Sequence, residues 1–347
     1  MNSLKDYSMN LTEQEYHDYP AWSYSTIARY ARKGFSALAT LHDKVTATPE
    51  MEFGSLVDSL VTRGIEETKK EYVVSDAPLP TPQIKEFYDA LLKQTNAPLS
   101  RVDEELMRSL WSEISKNKFD SKRADIYKAQ DYYDLCRSGK KVISSKDKDD
   151  AMQMYYAIKD HKYIGTLFDK STKDVEYLYQ LQLCRTMCDK NGVEHEVKCM
   201  FDCLKVDHKD KTLQPIDLKT SSMPGYDFAD HWVKMRYDLQ ARLYSDVLND
   251  LLSSLPEYVE YTILPFIFVD ISRSDMTPVA FDYPQFDFSQ ENGLSIERNG
   301  KEYQYKGWPE LLAEIVEYES TQAVVPSYIT TEGPNDLLAL ISKDYND

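Results

Sequence analysis

The stretch "LQPIDLKTSS", residues 213–222, decides how the chain is read. It has the composition of a strand, in which residues two apart point to one face. Ile216 and Leu218 then turn toward a core, while Asp217 and Lys219 share the other face at the strand's end. Two readings of that pair stand open: a surface ion pair worth well under ~1 kcal/mol, or a charged cluster with chemistry to perform.

Working outward, residues 175–189, 195–207 and 261–271 also alternate or run apolar with β-branched and aromatic residues, and read as strands. "KNGV" and "DHKDKT" join the first strands as hairpins, Asn191-Gly192 being the stronger turn signal. Residues 227–255 read as one long helix between the third strand and the last, so the expected core is α/β. Upstream, residues 23–43 read as a helix capped by Ser23 or Ser25, and residues 48–64 as a second, from Thr48 and Pro49 to Gly64. Residues 1–20 read as irregular. Residues 79–165 are mostly helical by pattern and form an expected helical insertion or subdomain. Asn299-Gly300 marks a further hairpin, residues 308–320 a closing helix, and the acidic end "PNDLLALISKDYND" a tail.

Composition bounds the function classes. The chain has 347 residues, 42% of them hydrophobic, enough for one large domain or two modest ones. No apolar run approaches the ~18–20 residues of a membrane span. The beginning of the sequence lacks a signal-peptide pattern, so the expectation is cytoplasmic residence and no membrane partner. Five cysteines in a chain of this length argue against a disulfide scaffold. A net charge of -17 argues against a general nucleic-acid coat protein, yet carboxylates that bind metal and basic residues that line a channel are compatible with it. Arg29, Arg32 and Lys33, and the stretch 137–148, are either such a lining or a solvated face. There is no Walker-type phosphate loop and no G-x-S-x-G elbow.

A short hairpin brings Asp202 of "VKCMFDCLKV" beside Asp217 of "PIDLKT". Two carboxylates and a backbone carbonyl make a hard-oxygen site suited to Mg²⁺ or Mn²⁺. Such an ion can polarise a scissile phosphate and lower the pKa of a bound water. Lys219 then orients or deprotonates that water, or stabilises developing charge. On the following helix Gln240 and Tyr244 are four apart, with Arg236 one turn earlier, a row that faces either the phosphates or the core and solvent.

The order "FD … DLKT … QARLY" resembles the PD-(D/E)XK nuclease superfamily, and within it the RecE and phage-exonuclease-like branch, with relatives of RecB-type nuclease domains and lambda exonuclease. The resemblance touches residues 22–64 and 150–271. It implies a restriction-endonuclease-like core, a mixed central sheet flanked by helices, in a single nuclease domain over 1–347. Residues 22–64 would supply the N-terminal core helices, 79–165 the insertion, 172–271 the catalytic sheet and helix, and 290–347 the hairpin, helix and tail. Asp202 and Asp217 match the family's metal-binding acids, Lys219 its catalytic lysine, and Gln240 and Tyr244 its substrate-side helix motif. Glu176 is a candidate for the acid that precedes the core strands, or an exposed strand glutamate. Where many relatives carry a metal-associated histidine, this chain has Asp58, a hard-oxygen ligand or a helix-surface acid. Arg236, Arg29 and Lys33 would meet DNA.

The resemblance further implies a Mg²⁺-dependent exonuclease on linear duplex DNA, ring-shaped homo-oligomers, and a single-strand annealing or binding protein as partner in phage-type recombination or repair. A catalytically silent DNA-binding or scaffold protein, and a single-strand or structure-specific endonuclease, are the alternatives on the same fold. Cys184 and Cys188, and Cys199 and Cys203, are each four apart in strands near the acids; they read as small buried hydrophobes, and no iron–sulfur cluster is expected.

Overall fold

The computed structural model describes residues 3–43, 47–76, 80–283 and 293–321. The chain divides into two compact units, one from residues 1–48 and 157–347, the other from residues 49–156.

The first unit is α/β, a mixed central sheet flanked by helices. Its centre is the pair of hairpins read from the sequence. Val175–Cys188 runs antiparallel to Glu194–Asp207, which carries Asp202, and that strand runs antiparallel to Thr212–Ser221, which carries Asp217. The Asp217 strand then pairs in parallel with Thr262–Ile263 and Phe266–Ser272. These last two are one strand interrupted at Leu264 and Pro265, opposite Gln214 and Pro215. A proline offers no ladder N–H, so the two prolines mark the gap. The Gln214 side-chain amide fills it by donating to the Pro265 carbonyl.

Several features of this unit depart from the sequence reading. Pro278–Tyr283 adds an antiparallel strand beyond Phe266–Ser272, and Trp22–Ser23 pairs in parallel with the Asp202 strand. Residues 1–20 are not wholly irregular: Glu13–Asp18 is helical, with a complete capping box between Thr12 and Glu15. The long helix over 227–255 is two helices, Phe228–Met235 and Tyr237–Ser253, broken at Arg236. Arg236 is left-handed, with φ 59° and ψ 45°. Its guanidinium donates to Asp238 at 2.9 and 3.0 Å and to the Lys306 carbonyl at 2.6 Å, and lies 5.1 Å from the Tyr305 ring centroid. The local pairing with Asp238 and the distant contacts with Lys306 and Tyr305 together hold the kink, with no glycine or proline at it.

The helix Tyr237–Ser253 is buried on nearly every side. An all-round buried helix must partner its polar groups internally, and this one does. Asp238 pairs with Arg236, and Arg242 with Asp246 at 2.9 Å. Asp246 also accepts the Trp308 indole N–H at 2.7 Å, tying this helix to the closing helix Trp308–Thr321. The hairpin Leu294–Arg298 and Lys301–Tyr305 turns at Asn299 and Gly300, with φ 52° and 73°, as the Asn-Gly signal predicts. The helix expected over 23–43 is Tyr24–Lys33, stopped by Gly34 at φ 58° and followed by a 3₁₀ segment, Gly34–Thr40. The acidic tail 334–347 lies outside the described residues.

The second unit is helical, with a two-stranded parallel pairing of Tyr72–Val74 and Lys141–Ile143. Phe87, Tyr88, Trp111 and Tyr133 centre its aromatic core. The helix Pro49–Arg63, grouped by sequence with residues 22–64, belongs to this unit. No helix among the described residues is long and apolar enough to cross a membrane.

Candidate functional site

Asp202 sits where the sheet loses its regular pairing on both sides. On one side the ladder skips from Tyr179–Cys203 to Leu181–Phe201, because Gln180 takes a left-handed φ of 53°. On the other, the ladder to the Asp217 strand ends at Cys203–Ile216, one residue short of the two acids. The Asp202 carboxylate takes over there, accepting the backbone N–H of Leu218 at 2.8 Å through Oδ2. Asp202 and Asp217 thus come to adjacent positions on neighbouring strands.

Asp217, Lys219 and Gln240 close a triangle. The Lys219 ammonium lies 2.6 Å from Asp217 Oδ2 and donates to Gln240 Oε1 at 3.0 Å. The Gln240 amide donates to Asp217 Oδ1 at 2.6 Å. Asp217 is 3% exposed, so its oxygens meet these groups rather than water. Tyr237, one turn before Gln240, puts its ring centroid 4.6 Å from the ammonium. Burial alone would lower the Lys219 pKa, but Asp217, with Tyr237 and Asp202, outweighs it and holds the ammonium well above its usual range. Lysine here is a fixed cation.

The other expected site residues are placed differently. Tyr244 is in the core, its ring edge-on to Phe201 at 5.2 Å. Glu176 stands opposite Val206, four residues along from Asp202 and so about 13 Å away. It accepts the Ser3 hydroxyl at 2.6 Å and lies 3.7 Å from His208 Nε2. Asp58 is on the helix Pro49–Arg63 of the second unit. Arg236 is buried in the kink described above. Arg29 donates to the Thr40 and Leu41 carbonyls at 2.8 and 3.0 Å, and Lys33 is exposed. Of the four strand cysteines, Cys199 and Cys203 are buried, Cys184 is half-buried and Cys188 exposed.

Sequence reasoning passed over two residues. One is Tyr237. The other is Asp270, on the strand next to Asp217's and in register with Lys219. Its only signal was a lone carboxylate in the apolar run "FIFVDIS". Asp270 is 1% exposed, and Oδ1 has no hydrogen-bond partner among the described residues. Among the described residues Oδ2 meets the Ser221 hydroxyl alone, at 3.4 Å. Burial pushes its carboxyl up from 3.8 to about 6, with Ser221 opposing and Asp275 adding to the rise. The folded state therefore holds this proton more tightly than the unfolded chain, and stability falls as pH rises from about 4 to about 6. The loss is on the order of 3 kcal/mol. Asp270→Asn is expected to melt near the wild-type temperature at pH 4 and clearly above it at pH 7 and beyond, in buffers containing EDTA. Equal melting temperatures across that range would show that the carboxyl titrates normally.

Among the described residues no three His, Cys, Asp or Glu side chains converge in the manner of a protein-only metal cage. Magnesium commonly takes one or two carboxylates and completes its shell with water and substrate phosphate. The oxygen donors of Asp202 and Asp217 fit that requirement, and the cationic Lys219 head already sits against one of them. Neither protein-family models nor characterised proteins yield a match to this chain.

Proposed function

We propose that the protein is a metal-dependent nuclease with a PD-(D/E)XK-type site, acting as an exonuclease on linear duplex DNA. The observation that carries this reading is the Asp217–Lys219–Gln240 triangle with Asp202 alongside, at the point where two strands part. Asp202 and Asp217 would hold Mg²⁺ or Mn²⁺. A bound divalent ion supplies Lewis-acid polarisation of a phosphoryl oxygen and a more acidic water. Lys219 is suited to stabilise charge growing on the phosphoryl oxygens, being a cation in a largely buried site. Gln240 fixes both strand residues at once, through an oxygen that holds the ammonium and a nitrogen that holds the carboxylate. Tyr237 backs the ammonium. Ring-shaped homo-oligomers with a basic inner channel would reconcile DNA binding with the net charge of -17, and a strand-annealing or single-strand binding protein would take up the product.

The test is cleavage of linear duplex, linear single-stranded and closed circular DNA with Mg²⁺, with Mn²⁺ and with EDTA. The expected result is metal-dependent loss of linear duplex alone, with end label released first. Cutting of circles would reassign the protein to endonucleases. DNA binding without cleavage under any condition would reassign it to scaffolds.

A further inference from the structure

We infer that Asp270 is a positioning residue, the second seat for the Lys219 ammonium when a divalent cation takes its place at Asp217. This rests on the metal-dependent reading above. Lys219 now occupies Asp217 Oδ2, one of the oxygens that reading gives to the cation. A cation arriving there must displace the ammonium, and two positive charges cannot share the carboxylate without repulsion. The displaced ammonium keeps the neutral Gln240 oxygen at 3.0 Å but loses its counter-charge, and a largely desolvated cation without a carboxylate beside it is disfavoured.

Among the described residues the neighbouring strand offers one. Asp270 pairs in register with Lys219 on a parallel strand, so the two side chains stand side by side on one face. Its Oδ1 is buried and unpartnered. The Tyr237 ring that backs the ammonium stacks on Phe268 at 5.8 Å, and Phe268 is two residues before Asp270 on that same face. The present seat and the proposed one therefore border the same aromatic pair. A lysine head on a flexible four-carbon stem can cross such a gap by changing rotamers, with no backbone movement. A buried carboxylate left without a full set of partners costs stability, and a carboxylate kept for a displaced cation accounts for that cost.

The test is calorimetric titration with Mn²⁺ and with Mg²⁺, without DNA, on the full-length wild type, Asp270→Asn, Lys219→Met and the double variant. Asp270→Asn is expected to weaken cation binding about tenfold or more, the scale of losing a hydrogen bond to a charged group. In the Lys219→Met background no ammonium needs a seat, and Asp270→Asn is expected to change affinity less than twofold. An equal loss in both backgrounds would overturn the inference, since Asp270 would then act as a ligand or through the fold. Wild-type affinity in Asp270→Asn would also overturn it while leaving the nuclease reading intact. A wild type that binds neither cation would remove both.

Discussion

Lys219→Met is expected to lower metal-dependent cleavage by about 10²–10⁴-fold, in turnover rather than in DNA affinity. Methionine keeps most of the stem's volume and loses only the charged head. Asp217 would lose its ion-pair partner at 2.6 Å and Gln240 Oε1 its donor at 3.0 Å, while the Gln240 amide would still hold Asp217 Oδ1 at 2.6 Å. The carboxylate thus keeps one strong hydrogen bond, and the fold is expected to survive. Single-turnover rates on end-labelled duplex, beside melting curves and DNA-binding isotherms, separate the effects. Wild-type rates in this variant would move the chemistry away from the Asp217 strand.

Asp246→Ala is expected to cost about 3–5 kcal/mol of stability, the range for removing one member of a buried ion pair. Asp246 is 8% exposed and so is Arg242, whose Nε lies 2.9 and 3.0 Å from the two Asp246 oxygens. The alanine would leave that guanidinium charged and buried, and would also strip the acceptor from the Trp308 indole. Because a buried pair replaced whole by apolar residues is often neutral, Arg242→Met with Asp246→Leu is expected to recover most of the loss. Urea midpoints followed by tryptophan fluorescence read both. If the alanine variant unfolds within ~1 kcal/mol of wild type, the network contributes little.

What the sequence made legible follows from what was local. The hairpins announced themselves through Asn-Gly turns and period-two alternation, and the strands lie within about two residues of where those signals put them. The acids came together because a short hairpin permits little else. The kink at Arg236 was not legible, because its residues form a continuous helical pattern and part of what holds it, the contacts with Tyr305 and Lys306, comes from some seventy residues on. Trp22–Ser23 is too short to show a period, and Asp270 takes its meaning only from the register with Lys219. Arg236, read as one row with Gln240 and Tyr244, is set apart by the same kink, while Tyr244 keeps its place one turn beyond Gln240 and packs in the core against Phe201.

The bond from the Leu218 amide to Asp202 gives the site a built-in reporter. Most strand amides are locked by a carbonyl that no ligand can move, but this one is locked by a carboxylate of the candidate metal site. Its deuterium uptake is therefore tied to the state of Asp202 rather than to the opening of the sheet alone. Cation loading that draws Asp202 away would unlock Leu218 while Ile216, within the regular ladder, stays protected. One amide signal would then count occupied sites.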